Sequence, residues 1–327
     1  ASQRATDLGF SRYSDNWRDV VEDDQVHLVS VCTPNDTHAE IAIAALAAGK
    51  HVWCEKPMST TLADSTAMAN AAASSAGKTI IGYNYTKNPA VTHARRLIDN
   101  GVIGRVSGFF CRYDVDNEAD GNRPWSWRMS RAQSGTGSNG DVLSHVISVA
   151  HFLTNSSISR VVGDYTIVHK ERADSQAAGQ TKIVDNDDMV AALIHFENGV
   201  KGHIGASRVT WGRKCGLRWE LHGTEGTIMY DQERLNELKL FTRQDNPATD
   251  GFRTILTGPL HEPYAAFLPN GGHSLGYMDV KICELHDLLS AIEANSPVWP
   301  SFSDGLKIER VMDAVDRSAQ TNKWVDV

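Results

Sequence analysis

The chain has 327 residues, 41% hydrophobic and 22% charged, with a formal net charge of -8. That length favours two domains over a single core, and the acidic balance argues against an electrostatic nucleic-acid binder. No apolar run approaches the roughly 20 residues of a membrane span. Five cysteines (Cys32, Cys54, Cys111, Cys215 and Cys283) lie far apart with no CxxC pair, which fits reduced thiols in a cytoplasmic protein better than a disulfide framework or a zinc site.

The first third reads as α/β. VHLVSVC (26–32) is an apolar run of strand length, and Asn35 or Asp36 can cap the helix that continues through Ile41, Ile43, Ala44 and Leu46 to a stop at Gly49. Residues 51–54 are the next strand, 60–76 an alanine-rich helix, and KTIIGYNY (78–85) a further strand. Strands alternating with helices of this length predict parallel βαβ units, whose ligands bind outside the carboxyl ends of the strands. Thr33-Pro34-Asn35-Asp36, Glu55-Lys56-Pro57 and Asn84-Tyr85 each stand at such an end.

After residue 100 the pattern changes. Runs with β character recur at 105–115, 159–170, 187–196, 200–210, 215–222, 225–231 and 236–242, separated by turn signals such as Glu197-Asn198-Gly199. Such close spacing predicts a mostly antiparallel sheet. Helices are expected at 140–154, 278–294 and 304–320, and a long Gly/Pro-rich connection fills 242–278. The fold class is therefore α/β plus α+β. A Rossmann-type parallel sheet domain spans 1–86, an α+β domain with its sheet spans 87–327, and helix 304–320 packs on either one.

The chemistry-bearing residues have bland readings as well. Glu55-Lys56 alone is a surface turn, but Pro57 restricts Lys56 toward extended geometry at a strand end. Asp141 and His145 are four apart on the expected helix and share a face, which suits an imidazole base beside a carboxylate. A capping Asp and an unrelated core-edge histidine fit that spacing equally well, since 13 histidines make chance pairs common. Two ligands do not make a metal site, and none is expected. Asn35 also reads as a helix cap, Asn84 as turn chemistry, Trp127 as a hydrophobic anchor, and Asp187-Asp188 as a solvated pair opening a strand.

TPNDTHAEIAIAALAAGKHVWCEKP resembles the signature of the glucose-fructose oxidoreductase, inositol dehydrogenase and MocA family of nicotinamide-dependent sugar and polyol dehydrogenases. GTGSNGDVLSHVISVAHFL resembles the family's Asp-x-x-x-His helix. NYTKNPAV, SWRMS, HGTEGTI, GFRTILTGP, SFSDG and WVDV extend the resemblance over essentially the whole chain. The two principal motifs are specific together and weak alone. The departure is at the front: ASQRATDLGF resembles the stretch just after the family's second strand, so the first βαβ unit with its Gly-x-Gly-x-x-Gly loop is expected to be missing from this chain.

The resemblance implies that Lys56, Asp141 and His145 are catalytic. It places Thr33, Pro34, Asn35, His38, Glu55, Lys56, Asn84, Trp127 and Arg128 around NAD or NADP, with NAD favoured. Lys56, Tyr113, Asp114, Arg128, Asp141 and His145 would hold substrate, with aromatic rings meeting the C–H faces of a sugar. The implied reaction moves a hydride between nicotinamide and a ring secondary hydroxyl of a sugar or polyol, a levoglucosan-like pyranose being the most specific case. Two other readings are a nicotinamide-dependent glycoside hydrolase working by transient oxidation and elimination, and a non-catalytic NAD(P)-binding sensor. A homo-oligomer, dimer or tetramer, is expected from the family.

Overall fold

In the computed structural model, which describes residues 1–243 and 247–327, three short apolar segments near the N-terminus pair as parallel strands. Two small helices, α1 (Ser2–Leu8) and α2 (Trp17–Glu22), precede them. Strands β1 (Leu28–Val31), β2 (His51–Cys54) and β3 (Thr79–Ile81) lie in the order β1-β2-β3. Val31 stands opposite Cys54, and Cys54 opposite Ile81, so the three carboxyl ends are level. Helix α3 (His38–Ala47) buries Ile41, Ala42, Ala45 and Leu46. It stops where Gly49 takes φ 75 and the Lys50 N–H reaches back to the Ala45 carbonyl at 2.9 Å, a left-handed closure that glycine adopts without a Cβ penalty. Helix α4 (Leu62–Ala73) is started by Thr61, whose Oγ1 accepts the Asp64 N–H at 3.1 Å and donates to Asp64 Oδ2 at 2.7 Å, a reciprocal capping arrangement.

These elements form one compact unit, Ala1–Gly82 with Asp287–Leu306; Tyr83–His286 with Lys307–Val327 form a second. The returning segment docks on β3: Ile81 N–H donates to the Pro300 carbonyl at 2.9 Å, and Phe302 N–H donates to Thr79 Oγ1 at 3.1 Å.

In the second unit, the segment expected as one strand through residue 85 behaves differently. After Ile81 the chain turns, and Asn84–Lys87 form a 3-10 turn feeding a helix not foreseen from sequence, α5 (Pro89–Asp99). Asn88 Oδ1 accepts the Ala90 N–H at 2.7 Å, and Pro89 occupies the first helical position, where its missing N–H costs nothing. The sheet-forming strands are β4 (Val106–Asp114), β5 (Ile158–Thr166), β8 (Met189–Phe196), β9 (Lys201–Ser207), β10 (Gly216–Gly223), β11 (Gly226–Asp231), β12 (Glu237–Thr242), β13 (Arg253–Leu256) and β14 (Val325–Asp326). They form a nine-stranded sheet in the order β13-β12-β11-β10-β4-β9-β8-β5-β14, with β4 and β9 parallel and the other pairs antiparallel. A separate ribbon pairs β6 (Glu171–Ala173) with β7 (Thr181–Ile183). Of the connection expected at 242–278, residues 244–246 lie outside the described residues; β13 runs within the remainder.

Alternation with period 2 turns Phe109, Cys111 and Tyr113 of β4, and Val190, Ala192, Ile194 and Phe196 of β8, inward. After α6 (Arg131–Ser134), the helix expected at 140–154 begins as a π-turn, Asn139–Leu143, and becomes α-helical only as α7 (Ser144–Thr154). Nearly every residue of α7 is buried, packed against β4, β9 and α5. Each large apolar side chain there contributes about 1.5–3 kcal/mol. Helices α8 (Tyr277–Glu293) and α9 (Phe302–Thr321) complete the fold. Residues of α9 through Leu306 cluster with the first unit, and those from Lys307 with the second. No described helix is long and apolar enough to cross a membrane.

One buried histidine of α7 sets a pH dependence. His151 Nε2 accepts the Ile158 N–H at 3.1 Å, and burial, with Lys307 acting the same way, lowers its pKa from 6.5 to about 3. The unfolded chain therefore binds a proton that the folded chain refuses, and stability falls as pH drops from 6.5 toward about 3. We expect this residue to remove about 1–2 kcal/mol between pH 6.5 and about 5, seen as a falling urea midpoint. His151→Gln should flatten that slope; an unchanged slope would assign it elsewhere.

Candidate active site

Level strand ends place the first group of candidates side by side. Glu55 N–H donates to the Val31 carbonyl at 2.9 Å, so the loop after β2 begins directly beside the one after β1. Thr33 and Pro34 are exposed, while Asn35, Glu55 and Lys56 are half-buried. His38, in the first turn of α3, is fully buried. Its Nε2 is 2.9 Å from the Thr33 carbonyl and its Nδ1 is 3.0 Å from the Pro57 carbonyl. The imidazole thus lies between the two strand-end loops, with a backbone carbonyl within hydrogen-bond distance of each ring nitrogen. The peptide bond between Lys56 and Pro57 is cis.

The second group gathers around His145, which the first turn of α7 holds almost completely buried. Its ring lies 4.5 Å from that of Tyr85, 5.6 Å from Tyr83 and 5.9 Å from Tyr113, measured between centroids. The hydroxyls of Tyr85 and Tyr113 are 2.9 Å apart, and Cys215 Sγ stands 3.6 and 3.4 Å from them. Burial pushes the Tyr85 hydroxyl well up, with the Tyr113 and Cys215 charges adding to it. Burial does the same to Tyr113, with Cys215 and Asp141 acting in that direction. Both phenols stay protonated across the working range and serve as neutral hydrogen-bonding groups. Asp141 sits in the π-turn with its N–H donating to the Gly137 carbonyl at 3.0 Å, and its carboxylate is close enough to act on Tyr113.

Tyr83 and Cys215 join this cluster without a motif to announce them, and Tyr85, expected only at a strand end, joins it too; Cys215 comes from just before β10, 130 residues after Tyr85. Asn84 is buried in the 3-10 turn, not at a strand end, and its Nδ2 has no hydrogen-bond partner among the described residues. A donor left so is costly unless a ligand completes it.

Asp114 is not brought to the cluster. Neighbouring strand residues point to opposite faces, so while Tyr113 faces His145, Asp114 turns to the other face. There it accepts from Arg112 Nε at 2.8 Å and Arg218 Nη2 at 3.0 Å. Trp127 and Arg128 occupy a short 3-10 turn with the guanidinium 4.5 Å over the indole ring, Arg128 being exposed. The reading of Asp187-Asp188 as a solvated pair is overturned: they are 4% and 1% exposed. Asp188 pairs with Arg208 at 2.8 Å, and Asp187 accepts the N–H groups of Gly137 at 2.8 Å and Asn139 at 2.7 Å. Burial raises the Asp187 pKa, and those two amides oppose the rise. A charge pair this deep stands only because each oxygen meets a donor.

Known proteins share this fold. Residues 1–83 match the model of the oxidoreductase family with an NAD-binding Rossmann fold, and residues 91–229 match the GFO/IDH/MocA C-terminal domain. The levoglucosan dehydrogenase of Pseudarthrobacter phenanthrenivorans is 38% identical over 338 residues, covering 100% of this chain and 86% of the relative. The solved structure of levoglucosan dehydrogenase in complex with NADH and levoglucosan superposes with a TM-score of 0.96 at 38% identity, covering 100% of this chain and 87% of that one. An NAD binding oxidoreductase from Klebsiella pneumoniae gives the same TM-score of 0.96 at 38% identity, with 100% and 87% coverage. Parallel strand ends carrying Glu55-Lys56-Pro57, a π-turn and helix carrying Asp141 and His145, and full-length similarity lead to one assignment: the chain belongs to the GFO/IDH/MocA family of NAD-binding oxidoreductases.

Proposed function

We propose that the protein oxidises a secondary ring hydroxyl of a pyranose-type sugar, levoglucosan or a close analogue, with NAD. The observation that carries this reading is His145 held in a cage of tyrosines beside Asp141, within a chain similar along its whole length to a levoglucosan dehydrogenase. Tyrosine ring faces suit the C–H face of a sugar, and protonated phenols suit its hydroxyls. The polar strand ends at Thr33, Asn35 and Glu55 fit the ribose of a nicotinamide nucleotide, and the partnerless Asn84 Nδ2 offers a donor for a ligand carbonyl. That cofactor, when bound, accepts the hydride.

The chain's own residues handle the proton and the geometry. His145 takes the proton of the reacting hydroxyl as the carbon becomes a carbonyl. Asp141 accepts from a neighbouring hydroxyl and orients the ring. Lys56 donates from its ammonium to the reacting oxygen and stabilises the charge that develops there. Trp127 and Arg128 bound the substrate side. His38 positions Lys56 through the Pro57 carbonyl. The balance is one secondary alcohol and one NAD giving a ketone, NADH and a proton. The family also makes a homo-oligomer, dimer or tetramer, part of this reading.

The test is initial-rate assay of NADH formation over a panel of anhydrosugars, pyranoses and inositols. His145→Ala should lower turnover by about 100-fold or more; a wild-type rate removes it as base. Lys56→Ala should lose turnover with the Kd for NAD unchanged in a fluorescence titration, and unchanged turnover would take the amine out of the reaction. His38→Ala removes the bridge between the two loops and should cost about 1–3 kcal/mol of stability, read in urea unfolding. A midpoint matching wild type would show that the bridge contributes nothing.

A further inference from the structure

Asn186, Asp187 and Asp188 are three consecutive polar residues, all buried, at the entry to β8. Asn186 Nδ2 donates to the Arg128 carbonyl at 2.8 Å and to Ser134 Oγ at 2.9 Å. Arg208, paired with Asp188, donates from Nη2 to Asn186 Oδ1 at 2.8 Å and from Nη1 to the same Arg128 carbonyl at 3.2 Å. Asp187 faces the start of the π-turn. Its two carboxylate oxygens take the N–H groups of Gly137 and Asn139, and its carbonyl takes that of Ser138 at 2.8 Å. Three successive amides therefore end on one residue.

This is an unusual way to begin a helix. The first amides of a helix have no partner within it, and a Ser, Thr, Asp or Asn beside them normally supplies one. Ser138 and Asn139 are in place to do so, yet no side-chain cap is made. Asn139 instead donates from Nδ2 to the Met312 carbonyl at 3.0 Å, and the cap comes from Asp187, about 50 residues on. The fit leaves no slack: a Cβ on Gly137 would lie 1.8 Å from the Asp187 carbonyl oxygen. A π-turn holds one more residue than an α-turn, so the angle between Asp141 and His145 depends on where this start is pinned.

We propose that Asp187 is a positioning residue of the active site, gripping the 137–139 amides so that the π-turn presents Asp141 and His145 at the angle the reaction needs. This rests on the assignment of Asp141 and His145 as the reacting pair. Asp187 itself touches neither substrate nor cofactor. Asn186 and Arg208 extend the same hold to the Arg128 turn.

The test is Asp187→Asn, which keeps the shape but offers one acceptor where two amides donate. In the folded variant kcat should fall about 10- to 100-fold, as expected for a reacting group displaced by about an ångström. The KM for NAD should stay within about twofold, and the pH profile of kcat should move because the surroundings of His145 change. A folded Asp187→Asn enzyme with kcat and pH profile unchanged overturns the proposal. Should the variant not fold, hydrogen exchange in the wild-type enzyme decides: the Gly137 and Asn139 amides should be strongly protected, and exchange as fast as in an exposed loop overturns it. His145→Ala measured alongside separates the two levels. A wild-type rate in His145→Ala faults the assignment of the pair, whereas a disabled His145→Ala with an unaffected Asp187→Asn faults the role of Asp187 alone.

Discussion

Two adjacent carboxylates buried beside one guanidinium set the terms for the second unit. An ion taken out of water costs several kcal/mol unless its lone pairs meet donors, and here every donor comes from a different part of the chain. Asp188 depends on Arg208 and on the Val168 and His169 amides at 2.7 and 3.1 Å. Asp187 depends on Gly137 and Asn139. The β8 entry is therefore stable only when the π-turn, the end of β9 and the segment after β5 are all in place. Removing one partner would strand a charge, at about 3–5 kcal/mol. That coupling ties the geometry around His145 to the integrity of the sheet.

The cage around His145 has a complementary logic. Buried phenols whose hydroxyls stay protonated can donate or accept hydrogen bonds but cannot take a proton and hold it as a phenolate's counterpart would. Among the side chains here, imidazole is the type that ordinarily titrates near neutrality, so in the proposed reaction the division of labour follows from chemistry: tyrosines orient, histidine exchanges. Tyr85, Tyr113 and Cys215 form a short chain of hydroxyl, hydroxyl and thiol. Each link needs one hydrogen, and the chain is satisfied with every group neutral.

Much of the first unit could be read from residues 26–82 because its strands are short apolar runs closed by turn residues; β2 falls on His51–Cys54 as expected, and Gly49 ends α3. The runs with β character that become β4 and β8 were equally visible. What escaped was the turn at Asn84, the face taken by Asp114 and the burial of Asp187-Asp188, the last decided by partners distant in sequence. Asn84 reads as the end of a strand because Thr79–Ile81 before it is apolar, but Asn88-Pro89 starts a helix close behind and draws the chain into a turn. Asp114 looked like a pocket residue beside Tyr113, and the pleat alone sends it to the opposite face, where Arg112 and Arg218 hold it. Asp187-Asp188 reads as solvated because aspartates at a strand entry usually are. The amides that bury them lie at 137–139 and 168–169, and no local pattern reports that.

The two units solve one problem in the same way. A reacting side chain must be exposed enough to meet its substrate, yet fixed to within a fraction of an ångström. Lys56 and Asp141 are half-buried, and rotamer packing alone would leave each with several orientations. In both places the constraint falls on backbone one step removed. His38 takes the Pro57 carbonyl just after Lys56, and Asp187 takes the Gly137 and Asn139 amides just before Asp141. His38 and Asp187, the holding groups, are both buried. Under the proposed reaction, a substitution at either holding residue acts on catalysis through geometry, with the reacting residues themselves chemically intact.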